Sequence, residues 1–342
     1  MEHMYPKSHF WVHIDKKAKK MNQPTVYIVE DSEGMRLDRW LKKQIPELKQ
    51  SVLEKLLRTG KIKLNDTKVA SSHRIVIGDV VTVKEDLAKY RNVLPQISMK
   101  EAPTLTPDEL EFFTSLIIWE DDEILIINKP SGLAVQGGTK TFRHVDRFLA
   151  GYGEHKNCRY RLTHRIDRDT SGLLVIAKTG EMATHLTQQF KDGNVDKIYW
   201  AVTVDQPTPG SGVIKAPLVK AGIGDREKVV VDHEKGKNAV TVYQTLKRLE
   251  KRNLPFMAWV ELRPETGRTH QIRVHCQHLG SPILGDGKYG GKEVTDINRT
   301  LHLHARTITF RDREGNRLTF NAAPPTHFEE TLRRYGIDWS KL

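Results

Sequence analysis

Cysteine is scarce in this chain, and long apolar runs are missing from it. Cys158 and Cys276 are the only cysteines among 342 residues, and they form neither a CxxC pair nor a disulfide framework, which fits a reducing compartment. No run approaches the ~20 apolar residues that a membrane-spanning helix needs. Residues 1–20 contain neither the apolar core of a secretory signal nor an arginine, which argues against export and against a mitochondrial presequence. We therefore expect a soluble, cytoplasmic protein with no membrane partner.

Acidic residues are outnumbered by basic ones, and the excess is unevenly placed. The formal net charge is +12, which favours a polyanionic partner, although basic surfaces also serve solubility alone. Residues 35–84 carry a net charge of +7, residues 85–125 carry −7, and residues 126–342 carry +12. An acidic segment between two basic blocks indicates two separate modules that each face a polyanion.

The hydrophobic pattern and the proline positions divide the chain into four segments. Prolines at 95, 103 and 107 lie among several acids and predict a linker. We expect a flexible tail over 1–33 with one β-like stretch at 25–29, a small α/β module over 34–94, an acidic, proline-containing linker over 95–116, and a larger domain over 117–342.

The small module is predicted to contain two amphipathic helices and a few short strands. Leu37, Trp40 and Leu41 recur at helical spacing, and a second helix over 51–58 has Ser51 and Glu54 in capping-box positions. Residues 61–64 alternate as a strand. The helices and the following strand carry a group of cations, for which a solvated lysine-rich face is the alternative to a binding surface: Arg36, Arg39, Lys42, Lys43, Lys55, Arg58 and Lys61.

The larger domain is predicted to be an α+β structure. Between 117 and 325, runs rich in β-branched residues outnumber helical patterns, and the strongest helices fall at about 181–191, 269–279 and 327–335. The strands and helices do not alternate regularly. A mixed, largely antiparallel sheet is therefore favoured over a doubly wound parallel one.

One segment of this domain, HRIDRDTSG at 164–172, concentrates charge in front of a predicted buried strand. His164, Arg165, Asp167 and two further charged residues lie within six positions, and the apolar run 173–177 follows them. Loops held by a buried strand often carry catalytic groups. A surface ion-pair loop is the alternative explanation when this segment is taken alone.

Four other short patterns surround that segment in sequence. They are NKPSGLAV at 128–135, KIYWAV at 197–202, TGRTHQIRVH at 266–275 and LHLHA at 301–305. Taken singly, they indicate a turn between strands, a half-buried tyrosine in a sheet, a strand end followed by a helix start, and a strand. His275, Cys276 and His278 are too few and wrongly spaced for a structural zinc site, so we expect no metal.

Together and in this order, the patterns resemble the NKPxGLxV, HR(L/I)DxxTSG, KxYxA, GRxHQ(I/L)RxH and LxLHA elements of the RluA family of pseudouridine synthases. The residues of these elements are most similar to those of the RluC branch of the family, with the RluD branch as the alternative. The small module resembles an RNA-binding unit first seen in a small-subunit ribosomal protein and found N-terminal in many members. The departures, such as isoleucine at 166 and 272, leave every reacting group in place.

The resemblance implies a pseudouridine synthase fold and the isomerisation of uridine to pseudouridine in large-subunit (23S) ribosomal RNA. It assigns Asp167 as the catalytic carboxylate, Arg273 as the guanidinium that pairs with it, and Tyr199 as the ring that lies flat against the base. Arg165 would enter the gap that the extruded base leaves. The resemblance places the remaining candidates at the RNA or around the pocket: His164, Arg268, His270, Ile272 and Leu303.

An isomerisation gains and loses no atom, so we expect no cofactor, and we expect a monomer whose partner is ribosomal RNA. Two other classes of function stay open. A non-catalytic RNA-binding or assembly factor would tolerate the loss of Asp167, which is present. An RNA hydrolase would need paired carboxylates or metal ligands that the patterns lack.

Overall fold

The computed structural model describes residues 24–30, 32–45, 48, 50–85, 103–137, 141–222 and 228–341. The chain separates into two compact units, 1–100 and 101–342. The first 23 residues of the predicted tail, and the part of the predicted linker from 95 to 102, lie outside the described residues. No helix in the described ranges is long and apolar enough to cross a membrane.

The described part of the first unit is a three-stranded antiparallel sheet with two helices. Its elements are β1 (Thr25–Ile28), α1 (Leu37–Gln44), α2 (Gln50–Arg58), β2 (Ile62–Leu64) and β3 (Val80–Val83). The strands pair in the order β1-β3-β2, and the apolar sides of both helices enter one core with them.

Two details of this unit differ from the sequence prediction. Residues 25–28 are not part of a flexible tail, because they pair with β3 from Thr25 opposite Val83 onward. Ser51 lies inside α2, which begins at Gln50, so it does not cap the helix. The carboxylate of Glu54 accepts a hydrogen bond from the Gln50 side chain instead.

The second unit is built on a ten-stranded mixed sheet, as the α+β prediction requires. Its strands are β4 (Ile117–Glu120), β5 (Ile124–Lys129), β6 (Arg161–Leu162), β7 (Ser171–Ala177), β8 (Asp196–Val204), β9 (Ser211–Lys215), β12 (Val240–Leu249), β13 (Met257–Pro264), β14 (Leu303–Arg311) and β15 (Arg317–Asn321), and a separate antiparallel pair is β10 (Leu218–Ala221) with β11 (Lys228–Val231). Along the main path of the sheet the strand order is β4-β5-β7-β14-β8-β13-β12-β9, with β6 on β7 and β15 on β14. Among the strand pairs described, only β7 with β14 is parallel.

Helices cover both faces of this sheet. They are α3 (Pro107–Ser115), α4 (Val145–Lys156), α5 (Gly180–Asp192), α6 (Gln271–His278), α7 (Gly291–Ile297) and α8 (Thr326–Arg334), followed by a 3₁₀ turn (Trp339–Lys341). The three helices predicted most strongly correspond to α5, α6 and α8.

The predicted linker extends too far. Its last part forms α3, which begins with a capping box in which the Thr106 hydroxyl accepts from the Glu109 amide and the Glu109 carboxylate accepts from the Thr106 amide. Phe113 of this helix is fully buried and stacks on Phe148 of α4. The second unit therefore includes residues that proline content alone assigned to a linker.

Strand β7 is buried on both faces, which explains its unbroken apolar run. Leu174 and Ile176 enter the core beneath α3 and α4. Leu173 and Val175 enter the core on the opposite face, beneath α5. A strand fixed on both sides gives the loop in front of it a rigid support.

Candidate active site

His164 anchors the loop 163–170, which joins β6 to β7. Its Nε2 accepts a hydrogen bond of 2.9 Å from the Val175 amide, and its ring stacks on Phe190 with centroids 4.3 Å apart. Burial, with a smaller contribution from the charge of Lys197, lowers the pKa of His164 to about 3, so the ring is neutral. Because Nε2 of His164 already accepts a hydrogen bond from the backbone, it positions the loop. The RNA contact predicted for His164 from sequence stays a prediction.

Gly172 allows β7 to approach β14 closely. Its φ is +110°, and a Cβ there would lie 2.3 Å from the carbonyl oxygen of Ala305. Beside it, the Ser171 hydroxyl lies 2.9 Å from Nδ1 of His304, whose Nε2 lies 3.1 Å from the Ala322 carbonyl. Because a carbonyl only accepts, Nε2 carries the proton and Nδ1 accepts from Ser171. The loop is thereby held against the start of β14.

Lys129 joins the loop 163–170 to the turn that follows β5. Its side chain is fully buried, and its Nζ donates to the carbonyl oxygens of Pro130, Leu133 and Arg168 at 2.8–2.9 Å. Burial lowers the pKa of Lys129 to about 7, and the nearby Asp169 and Asp167 oppose that shift. All three ammonium donors have an acceptor, so the predicted scaffold role of the NKPSG turn is confirmed.

Asp167 lies at the tip of this support, half-buried and between two cationic or imidazole groups. Its Oδ2 lies 3.9 Å from Nη1 of Arg273, and its Oδ1 lies 3.9 Å from Nε2 of His270. Its side chain is 26% exposed. These separations are ion-pair distances rather than hydrogen bonds, so the carboxylate keeps room to meet another group.

The closest carboxylate to Arg273 is Asp286. Arg273 Nε donates to Asp286 Oδ2 at 2.7 Å, and Nη2 donates to Oδ1 at 2.6 Å. Both side chains are almost fully buried. Arg273 was predicted to pair with Asp167, and the structure shows this ion pair at 3.9 Å together with a closer, two-bond pair with Asp286 that was not predicted. Asp286 therefore holds Nε and Nη2 of Arg273, while Nη1 faces Asp167.

His270 belongs to a second chain of contacts that ends at Asp167. Its Nδ1 lies 2.7 Å from the Tyr289 hydroxyl, which accepts from the Val229 amide at 3.2 Å. A hydroxyl that accepts from an amide is free to donate its own proton to Nδ1, and Nε2 of His270 then carries the proton that faces Asp167. Burial lowers the pKa of His270 despite the opposing charge of Asp167.

Gln271 and Arg268 fix the turn in front of α6. The Gln271 amide oxygen accepts from the Thr266 hydroxyl and the Arg268 amide, and its nitrogen donates to the Val240 carbonyl and Thr241. Arg268 is exposed, with Nε donating to the Asn238 carbonyl at 3.0 Å. Four residues after Gln271 in the helix, the two ring nitrogens of His275 lie within hydrogen-bond distance of the Thr241 hydroxyl and the Ala216 carbonyl.

A cavity of about 670 Å³ opens in front of Asp167. Tyr199, Ile272 and Leu303 form apolar and aromatic walls, and burial together with the Asp167 charge raises the pKa of Tyr199, so its hydroxyl stays protonated. The volume of the cavity lies within the roughly 300–1,000 Å³ typical of small-molecule pockets. Every candidate named from the second domain also lines it: His164, Arg165, Asp167, Tyr199, Arg268, His270, Ile272, Arg273 and Leu303.

Three residues of the site escaped the sequence reasoning. Asp286 and Tyr289 lie in the loop before α7, a segment with no pattern that marks it as functional. Lys197 lines the cavity as the first residue of the KIYWAV motif, and its distance to the other residues depends on sheet register. Of these three residues, only Lys197 lies in a sequence pattern that could have marked it as part of the site.

The cations predicted on the small module lie on α1, α2 and the residues beside them. Arg36 is paired with Asp38, with Nη2 2.6 Å from Oδ2, and Lys61 lies 3.6 Å from Glu85. The others are on the sides of the helices away from the core, with Lys42 half-buried and the rest exposed: Arg39, Lys42, Lys43, Lys55 and Arg58. Their use as an RNA-binding surface stays a prediction.

Comparison with known proteins gives a consistent result. Residues 123–278 match the RNA pseudouridylate synthase family model. The chain is 38% identical over 303 residues to the ribosomal large subunit pseudouridine synthase C of Rickettsia conorii, covering 87% of this chain and 96% of the relative. It is 32% identical over 314 residues to the protein of the same name from Vibrio cholerae, covering 90% and 95%.

A solved structure agrees with these relatives. The human RNA pseudouridylate synthase domain containing 4 is 30% identical, covers 68% of this chain and 98% of its own, and superposes with a TM-score of 0.55. The matched family segment contains Asp167, Tyr199 and Arg273. This chain therefore belongs to the RNA pseudouridylate synthase family and is an RNA pseudouridine synthase.

Proposed function

We propose that this enzyme converts specific uridines of large-subunit (23S) ribosomal RNA to pseudouridine, with Asp167 as the catalytic carboxylate. The observation that carries the proposal is the position of Asp167. It is held by a loop anchored at His164, Gly172 and Lys129, and it faces a cavity with aromatic and apolar walls. The names of relatives that span nearly the whole chain support the substrate.

The cavity suits a detached pyrimidine. Tyr199 offers a flat face on which a base can stack, worth about 1–3 kcal/mol, and Ile272 and Leu303 exclude water from the other sides. The reaction cuts the glycosidic bond, turns the base and joins it to the same ribose through carbon. It therefore needs a firm grip on the free base and a charged carboxylate. Attack on the base, attack on the ribose and removal of a proton all fit this arrangement.

Arg273 and His270 set the electrostatics around Asp167. The Arg273 guanidinium stays protonated, so its Nη1 places a positive charge 3.9 Å from the carboxylate of Asp167. His270, neutral because of burial, presents Nε2 at the other carboxylate oxygen. Asp167 can then act as an oriented anion in a partly dry site.

Arg165 fits the role of the group that replaces the extruded uridine. A uridine within folded RNA is out of reach until it leaves its stack, which costs a few kcal/mol. Arg165 is exposed and lies two residues from Asp167 at the same cavity. Its planar guanidinium can stack on bases and donate hydrogen bonds at once.

The test is a map of pseudouridines in total RNA from cells with and without this gene. We expect one or a few sites in the 23S RNA to lose pseudouridine in the deletion strain and to regain it when the gene is restored. An unchanged 23S map, with sites lost from another RNA, would refute the ribosomal substrate and leave the enzyme class standing.

A further inference from the structure

A second cavity, of about 820 Å³, is also lined by Asp167. It shares Arg165, Asp167, His270 and Arg273 with the first cavity, so the two meet at the same carboxylate. Both cavities contain cations, but their other walls differ. The first has the rings of Tyr199 and Phe190 and apolar side chains. The second has no aromatic lining residue among those described apart from His270, and it is lined by further cations, by Asp169 and by Gly285 and Gly287.

Three cations of the second cavity make no side-chain contact that would neutralise them. Lys228, Lys288 and Arg299 line it, and none of them forms a hydrogen bond or an ion pair with its side chain to any other described residue. Lys228 and Arg299 are exposed, and Lys288 is half-buried. Lys288 lies near enough to His270 for its charge to help lower the pKa of that ring.

We propose that this second cavity, named here the phosphate cavity, binds the backbone phosphodiesters of the RNA next to the target uridine. The inference rests on the proposed function and adds a substrate contact to it. A base seated against Tyr199 is tethered to its own ribose and phosphates. Those must leave the first cavity past Asp167, where the two cavities join. Lys228, Lys288 and Arg299 then meet an anion that the ligand necessarily carries.

The cations that line the cavity outnumber its two carboxylates, Asp167 and Asp169, and this excess of positive charge favours a phosphodiester over a nucleobase. It has little aromatic or apolar wall on which a base could stack, and Leu301 is its one large apolar lining residue among those described. Lysine and arginine beside a polyanion gain affinity by releasing condensed counterions, and this gain falls as salt rises. The phosphate cavity should therefore control how the strand is positioned at Asp167, in addition to binding strength.

The test is a binding measurement on full-length protein carrying Asp167→Asn, so that turnover does not interfere. The probe is a fluorescent fragment of 23S RNA that contains a mapped target uridine. Lys288→Gln with Arg299→Gln is compared with Lys215→Gln and Arg252→Gln, which remove the same charge from exposed positions outside both cavities. We expect the first pair to weaken binding roughly tenfold and to flatten the slope of log affinity against log salt by about 1.5, since two phosphate contacts are lost, and the second pair to do neither.

A second arm locates the contact on the RNA. Single methylphosphonates, which are neutral, replace phosphates one at a time around the target. At one or two positions beside it they should weaken binding of the parent but not further weaken the Lys288→Gln, Arg299→Gln protein. Equal losses in both proteins at every position, or a cavity pair that behaves like its control, would overturn the proposal. Absence of turnover by the unmutated enzyme on this RNA would instead count against the proposed substrate.

Discussion

Arg273 and Asp286 are joined by two hydrogen bonds of 2.7 and 2.6 Å, whereas Arg273 comes no closer than 3.9 Å to Asp167. The buried carboxylate of Asp286 therefore fixes the orientation of the Arg273 guanidinium, which also faces Asp167. Asp286 is held in turn, because its Oδ1 accepts from the amides of Lys288 and Tyr289. Removing Arg273 should then affect stability and catalysis by separate routes.

Arg273→Leu should lower the free energy of unfolding by about 3–5 kcal/mol, because it leaves Asp286 buried and unpaired. Adding Asp286→Asn removes that charge but keeps acceptors for the two backbone amides. The double variant should recover much of the lost stability in urea unfolding and still isomerise uridine poorly. If activity returns together with stability, Arg273 acts only on the fold.

The sequence predicted the parts of the molecule that depend on local pattern. Helices α5, α6 and α8 follow from their periodicity, and the buried strand β7 follows from its apolar run. Asp167 was identified because its loop carries a distinctive sequence motif, HRIDRDTSG. The partner of Arg273 could not be found in this way, since Asp286 lies 13 residues away in a loop and becomes its neighbour only through tertiary packing.

The errors at element ends have a related cause. Proline and acidic residues over 95–116 predicted a linker, yet proline at the first turn of a helix and acids near its start both favour a helix. Helix α3 has both, and buried Phe113 decides the outcome. The RNA contact of His164 stays a prediction. Its hydrogen bond to Val175 could not be predicted, because that bond depends on the return of the chain along β7.

Asp167→Asn should leave the fold and RNA affinity close to those of the parent and abolish isomerisation. The change keeps the size of the side chain and removes the charge, and within the described part of the chain Asp167 has no close hydrogen-bonding partner whose loss would unfold the loop. Release of tritium from RNA labelled at C5 of uridine measures the reaction. Turnover near the parent rate would contradict the role given to Asp167.

Tyr289→Phe should lower the single-turnover rate about fivefold, the size expected from losing one hydrogen bond of about 1 kcal/mol. The hydroxyl sets which nitrogen of His270 carries the proton, whereas the ring beside Arg273 remains. The pH profile of the rate should shift with the change, because the protonation of His270 is no longer directed. In a His270→Gln background, Tyr289→Phe should have little further effect; a full additional fivefold loss would contradict this link.

Acidification should destabilise the second unit through buried histidines. Burial lowers the pKa of His304 to about 4, below its ordinary value near 6.5. The unfolded chain thus binds the proton first, and stability is complete above pH 6.5 and falls as the pH drops toward 4. For His304 the loss between pH 7 and 5 amounts to at most about 2 kcal/mol. His304→Gln should reduce the measured fall in urea unfolding by that amount, whereas His155→Gln, at an exposed position, should not.

Arg165 should matter only while the target uridine is stacked. Arg165→Ala removes the group proposed to fill the gap, so extrusion becomes harder while Asp167 and its neighbours are unchanged. A mismatch or a loop at the target lowers the cost of flipping, and single-turnover rates on such RNA should come back toward those of the parent. The Arg273→Leu, Asp286→Asn protein should gain nothing from the same RNA, because its defect lies at the carboxylate. Equal rescue of both proteins, or of neither, would mean that the two arginines do not divide extrusion and chemistry between them.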